Sequence, residues 1–198
     1  MELSIELIAL FFITGIAAGF VDSISGGGGL LTMPLLLWSG LSPAVALGPN
    51  KLQGTIGTLT ASLNYYRKGH VPFRTAWLSM ITAFIGSAIG AFIVQQFETQ
   101  TLSALLPILL ISFSVFFMFS NRMTDEDARQ RLNHYTFALT AGLGIGFYDG
   151  FFGPGTGAFF VIAFITLLGY GVTRATAHTK LLNFSSNISA LIFFQLSG

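Results

Sequence analysis

The most constraining feature of the sequence is a set of long runs without any charged side chain. These runs cover residues 75–97, 102–121 and 150–173. Each reaches the roughly 20 residues that a helix needs to cross the hydrocarbon core of a bilayer. Only 9% of all residues are charged, whereas soluble domains carry about 25%. The sequence therefore predicts an integral membrane protein.

The apolar runs favour helices over strands. They contain many helix-forming residues and lack the short alternating segments of a membrane β-barrel. Residues 3–21 have neither a basic start nor a small-residue cleavage site, so they predict a retained helix instead of a signal peptide. We expect an all-α integral membrane protein, folded as a polytopic helical bundle.

The chain offers little for catalysis or metal binding. It contains no cysteine, which excludes disulfides, thiolate catalysis and thiolate metal sites. His70, His134 and His178 lack the spacing of metal ligands, and no nucleophile stands beside a base. We expect no catalytic residue, no metal, no cofactor and no nucleic-acid partner, and an enzyme is the weaker class.

The positions of the basic residues predict the orientation of the chain. Residues 67–74 and 121–134 are short connections that carry three Lys or Arg each. The positive-inside rule assigns both connections to the cytoplasm. Two spans, about 75–97 and 101–121, would then join them through an outer turn at Glu98.

Several residues of the first part of the sequence recur in the second part, in the same order and at a nearly constant distance along the chain. Six residues recur 127 positions later: Gly15, Gly19, Phe20, Asp22, Gly26 and Gly28 correspond to Gly142, Gly146, Phe147, Asp149, Gly153 and Gly155. Lys51 recurs 129 positions later as Lys180. The chain therefore predicts two homologous membrane repeats.

The repeats divide the chain into a first repeat (1–120), a polar loop (121–134) and a second repeat (135–198). The second repeat follows a loop expected in the cytoplasm, whereas the acidic N-terminus tolerates the outside. This favours an inverted repeat, a common architecture of secondary transporters. The first copy has two spans that the second lacks, so a complete protein is expected to carry about two further helices.

Four charges remain at apparent membrane depth, namely Asp22, Lys51, Asp149 and Lys180, with His178 and Arg174 as further candidates. At about 3 kcal/mol each on insertion scales, these charges must face one another, a ligand or water. The lysines could snorkel to an interface, neutralise the aspartates or bind an anion. Each aspartate could cap a helix before its glycine turn, or serve in proton coupling or pairing with a lysine.

The glycines fall into two classes. Gly15/Gly19, Gly86/Gly90 and Gly142/Gly146/Gly150 have the four-residue spacing of close helix packing. Gly26 to Gly29 and Gly153, Gly155 and Gly157 are too dense for packing and precede apolar segments at 30–38 and 158–168. They predict broken or re-entrant half-helices, whose N-termini bind anions and whose glycines let an anion approach the backbone.

The two glycine segments carry a family resemblance. They read "GFVDSISGGGGLLTMPLLLWSGLSPAVALGPNKLQG" and "GFYDGFFGPGTGAFFVIAFITLLGYGVTRATAHTKLLNFSSN". With these motifs the chain resembles the TauE/SafE family of sulfite and organosulfonate exporters, particularly its YfcA-like subgroup. The resemblance implies a multi-pass permease of the bacterial inner membrane that moves a small sulfur-containing anion outward. An anion channel and a non-transporting membrane subunit are the alternatives, and a homo-oligomer is left open.

The resemblance also implies a substrate site by position. Its residues are Gly26, Gly27, Gly28, Gly29, Asn50, Lys51, Gly153, Gly155, Gly157, Lys180 and Asn183. Asp22 and Asp149 are expected to act as coupling groups or counter-charges. The partners implied are the anionic substrate and the lipid bilayer.

Overall fold

The computed structural model describes residues 4–24, 26–71, 73–118 and 129–197, and every regular element in them is helical. The elements are α1 (Ile5–Ile24), α2 (Gly29–Trp38), α3 (Pro43–Arg67), α4 (Phe73–Val94), α5 (Thr99–Met118), α6 (His134–Phe137), a π turn (Ala138–Gly142), α7 (Leu143–Phe151), α8 (Thr156–Leu168) and α9 (Val172–Ser197). The predicted all-α class is confirmed. Of the predicted loop 121–134, residues 121–128 lie outside the described residues, and its cytoplasmic side stays a prediction.

Both glycine clusters interrupt the helices, as predicted. The first separates α1 from α2, and the second separates α7 from α8. The uncharged run 150–173 is therefore not one spanning helix, although it has the length of one. At 10 and 13 residues, α2 and α8 extend about 15 and 20 Å, which is too short to cross a bilayer.

Among the described residues, α1 and α4 are both long and apolar enough to cross a membrane. Helices α3 and α9 are longer, at 25 and 26 residues, but less apolar. Their buried faces carry polar side chains, among them Asn50, Thr58, Asn183 and Ser186. These two helices form the polar interior of the bundle.

The order of contacts shows the relative directions of the long helices. Helices α1 and α3 are parallel, because Gly19 lies beside Gln53 and Asp22 beside Gly57. Helices α3 and α9 are antiparallel. Gly54, in the middle of α3, lies against Asn187 in the second half of α9, whereas the C-terminal end of α3 packs near Ala177 and Leu181 in its first half.

Helix α4 lies in the cleft between α7 and α9. A Cβ on Gly86 or Gly90 would meet the carbonyl oxygens of Leu143 and Phe147, and one on Gly150 would meet that of Ser87. Against α9, three serine hydroxyls donate to backbone carbonyls: Ser185 to Met80 at 2.8 Å, Ser189 to Phe84 at 2.7 Å and Ser87 to Ser186 at 2.6 Å. Close glycine packing is thus confirmed for this crossing.

Within the described part of the chain, the same prediction is wrong for Gly15 and holds only loosely for Gly19. A Cβ on Gly15 would have no atom within 4 Å, and one on Gly19 would meet only Gln53 Nε2 at 3.9 Å. Gly19 does approach α3, since a Cβ on Gly57 would lie 3.5 Å from the Cα of Gly19. Among the described residues, it is the side of α1 at Gly15 that has no helix against it.

Gly90→Ala should destabilise the bundle, because the added methyl group meets backbone atoms that cannot rotate away. Overpacking of this kind costs about 1–3 kcal/mol. Gly144→Ala is the matched control, since a Cβ there has no atom within 4 Å and alanine is the better helix former by about 1 kcal/mol. Thermal unfolding in detergent should show a lower Tm for Gly90→Ala alone. Equal losses in both variants would contradict the close crossing.

Candidate functional site

The first glycine segment is organised around Asp22 at the end of α1. Its Oδ1 accepts a hydrogen bond from the backbone N–H of Gly28 at 2.8 Å, and its Oδ2 accepts one from Gln53 Nε2 at 3.2 Å. Gly26 takes a φ of +77°, which side chains other than glycine rarely tolerate. These are the contacts of the capping interpretation: the carboxylate supplies an acceptor to the N-terminus of α2.

The second glycine segment uses its aspartate differently. Asp149 Oδ1 accepts from Lys51 Nζ at 2.8 Å, and both side chains are shielded, with 2% and 0% of their surfaces exposed. The second carboxylate oxygen is buried without a hydrogen-bond partner in the described residues. Lys51 and Asp149 therefore form the buried ion pair that the counter-charge alternative anticipates.

Gly153 makes room for the lysine of this pair. It has a φ of +99°, and a Cβ there would lie 2.5 Å from Lys51 Nζ. The glycine thus has two physical reasons, its backbone conformation and the space for an ammonium group. The second reason concerns Lys51, which belongs to the other half of the chain.

The second lysine, Lys180, makes the corresponding contact from the second half of the chain to the first. Lys180 Nζ donates to the backbone carbonyl of Asp22 at 2.6 Å. Each lysine therefore reaches the aspartate position of the opposite half. The two contacts are not equivalent, because Lys51 meets a carboxylate and Lys180 meets a main-chain oxygen.

The two glycine segments also touch directly. The N–H of Gly157 donates to the carbonyl of Gly26 at 3.1 Å. A Cβ on Gly26 would lie 2.5 Å from the Cα of Gly157 and 3.3 Å from Asn183 Nδ2. Close approach of two backbones is a role for these glycines that the sequence did not indicate.

The predicted amide groups lie at the edges of this contact. Asn50 Oδ1 accepts from Thr32 Oγ1 at 2.6 Å, and Gly29 packs between Asn50 and Pro154. Both the side-chain and main-chain oxygens of Asn183 accept from Asn187 Nδ2, at 3.0 and 2.8 Å. Gly27 and Gly155 complete the turns. The carbonyl of Gly27 accepts from the N–H of Leu30, and the carbonyl of Gly155 accepts from the N–H groups of Ala158 and Phe159.

Two polar contacts at the site were not singled out from the sequence. Thr32, on α2, holds Asn50, and Tyr148 donates its hydroxyl to the carbonyl of Pro154 at 2.6 Å. Only the position of Tyr148 directly before Asp149 could have pointed to it. Among the described residues, no group of three His, Asp or Glu is arranged to hold a metal ion.

Comparisons with known proteins identify one matching family and several relatives. Residues 11–198 match the family described as "Sulfite exporter TauE/SafE". A "Probable membrane transporter protein" of Haemophilus influenzae is 44% identical over 198 residues, which are 100% of this chain and 78% of that protein. "Probable membrane transporter protein ORF9" of Sinorhizobium sp is also 44% identical, over 100% of this chain and 76% of its own length.

A third relative is "Probable membrane transporter protein YfcA" of Escherichia coli K12. It is 44% identical over 192 residues, covering 97% of this chain and 71% of that protein. No solved structure matches the chain.

The buried pair predicts a non-additive effect on stability. Lys51→Met alone should destabilise the protein by about 3–5 kcal/mol, because it leaves Asp149 buried without its partner. Lys51→Met combined with Asp149→Leu should cost less than Lys51→Met alone, since replacement of both partners by apolar groups is often neutral. Thermal unfolding in detergent measures both. Lys68→Met, at an exposed position, is the control for loss of a lysine, and additive losses in the double variant would refute the pairing.

Proposed function

The chain belongs to the sulfite exporter TauE/SafE family, and on that premise we propose that it is a secondary transporter that exports a small anion across a bacterial inner membrane. The observation that carries the proposal is the buried ion pair of Lys51 with Asp149, which lies where the two glycine turns meet. The names of the 44% identical relatives, all probable membrane transporters, support transport as the activity.

An inverted repeat of 1–120 and 135–198 is part of the proposal. Helices α3 and α9 occupy equivalent positions in the two sequence copies, yet they run antiparallel in the bundle. The lysines of the two copies cross reciprocally to the opposite halves. Both observations support a pseudo-two-fold axis in the membrane plane, the symmetry of many secondary transporters.

The substrate would bind by replacing protein acceptors. Gly28 N–H now donates to Asp22, Gly157 N–H to Gly26, and Lys51 to Asp149. An anion that separates the two glycine turns would offer its own oxygens to these three donors. Each donor keeps an acceptor, while Asp149 gives up its ammonium partner and Asp22 and Gly26 each give up a donor. These losses offset part of the free energy gained from the anion, which suits a carrier, because a carrier must release its substrate as well as bind it.

Sulfite and organosulfonates are the substrate class that we assign to this site. Their several oxygens can accept from two backbone N–H groups and an ammonium group together, as anions do at helix N-termini. The family description names sulfite, which favours this class over carboxylates.

Coupling would involve the two aspartates. Once Lys51 turns to the anion, Asp149 needs another partner, because an isolated buried carboxylate is costly. A proton or an opened aqueous path would supply it. Export would thus be driven by the proton gradient or the membrane potential, with the halves rocking about the contact of Gly26 with Gly157. That closed contact favours a carrier over a channel.

The test is sulfite flux into proteoliposomes with the full chain reconstituted. Lys51→Met and Lys180→Met should each lower the flux at least about tenfold. Lys51→Met truncates one partner of a buried charge pair, which costs about 2–5 kcal/mol, and Lys180→Met leaves the buried carbonyl of Asp22 without its donor. Lys68→Met, which removes the same charge from an exposed position, should leave the flux unchanged. Trans-side sulfite should also accelerate uptake.

Three outcomes would decide against parts of the proposal. Unchanged flux in both lysine variants would contradict the proposed binding site. Flux that rises linearly with the gradient, without acceleration by trans-side sulfite, would select a channel. A thermal shift with acetate and none with sulfite or methanesulfonate would overturn the substrate class.

A further inference from the structure

An open apolar groove runs along α1 and α3 on the surface of the bundle. Its volume is about 770 Å³. The lining residues carry no charge: Phe11, Phe12, Gly15, Ile16, Gly19, Ser23, Pro49, Leu52, Gln53, Ile56, Gly57 and Thr60. Gly15 and Gly19 both line it, and a Cβ on Gly15 would have no atom within 4 Å.

The sequence repeat relates this groove to an occupied one. Moved by 127 positions, the small residues of α1 correspond to those of α7: Gly15, Gly19 and Ser23 become Gly142, Gly146 and Gly150. Moved by 129 positions, Ile56, Gly57 and Thr60 of α3 become Ser185, Ser186 and Ser189 of α9. The groove is thus the counterpart of the cleft between α7 and α9.

Helix α4 fills that cleft, and it contacts the counterpart positions one by one. Gly142 faces Thr82, Gly146 faces Ala83 and Gly150 faces Ser87. On α9, the hydroxyls of Ser185 and Ser189 donate to α4, and Ser87 of α4 donates to the carbonyl of Ser186. All six small positions of the occupied cleft therefore have partners on one helix.

We infer that the groove between α1 and α3 is the seat of a second membrane-spanning helix of the α4 type, with small residues at four-residue intervals. Small residues in spanning helices serve close contact between helices. Glycines that faced only lipid would cost about 1 kcal/mol each in helix propensity without any packing in return. The uncharged lining matches a helix such as α4, whose packing face is uncharged as well.

The relatives contain enough residues outside the matched region to form such a helix. The three 44% identical proteins are matched over 78%, 76% and 71% of their own lengths. The inference rests on the sequence repeat and not on the transported anion, so it and the flux measurement can fail separately.

The test is disulfide cross-linking with a peptide of residues 73–94, the α4 sequence, as the probe. The chain has no cysteine of its own, so Gly19→Cys creates a single thiol at a position with space for it. Gly146, its counterpart, faces Ala83. A peptide carrying Ala83→Cys should therefore form a one-to-one adduct with the Gly19→Cys protein in liposomes under mild oxidation.

Two matched controls define specificity. A peptide with Ile85→Cys carries its thiol at a residue that is 47% exposed on α4, so it should cross-link far less. A Gly144→Cys protein, whose thiol lies on an open face of α7, should not select between the two peptides. Adding Gly15→Leu to the Gly19→Cys protein should abolish the adduct, because the side chain fills the groove.

Other results would overturn the inference. Equal cross-linking of both peptides, or an adduct that survives Gly15→Leu, would mean that the peptide contacts the protein without binding in the groove. A disulfide-linked dimer of the Gly19→Cys protein, formed equally with and without peptide, would assign the groove to a second copy of the chain. Absence of any adduct would leave the groove to lipid.

Discussion

The ion pair of Lys51 with Asp149 is the interaction on which the rest of the interior depends. Neither charge could remain in a dry bundle alone, since an unpaired buried ion costs several kcal/mol. The pair joins residues 98 positions apart and thereby ties α3 to α7. Gly153 leaves space for the ammonium group, so the second helix break is part of the same arrangement.

The glycines of the described structure have two different roles, close helix packing and sharp backbone turns. In α4 and α7 they let two helices approach until backbone meets backbone. In the two turns they provide positive φ angles and let Gly26 and Gly157 join the halves by a main-chain hydrogen bond. The N-termini of α2 and α8 thus already hold protein acceptors, and an incoming anion would have to compete with them.

Most of the architecture could be predicted because it follows from local sequence. Apolar length predicts helices, and dense glycines predict where they break, as at Gly153 and Gly155 between α7 and α8. Prediction failed where the outcome depends on a distant segment. The spacing of Gly15 and Gly19 is the same as that of Gly86 and Gly90, but only the second pair has a backbone against both glycines, whereas a Cβ on Gly15 would meet no atom within 4 Å.

The sequence by itself determined the helical class, the breaks, the family and which charges are buried in the bundle, because composition, spacing and motif are local properties. Tertiary structure alone decided the partners. Two similar aspartates, each before a glycine turn, take different roles: Asp22 caps α2, whereas Asp149 neutralises Lys51. The physical reason is that a buried charge is satisfied by whichever group the packing of distant helices brings within hydrogen-bond distance, and that distance is not written in the spacing of residues along the chain.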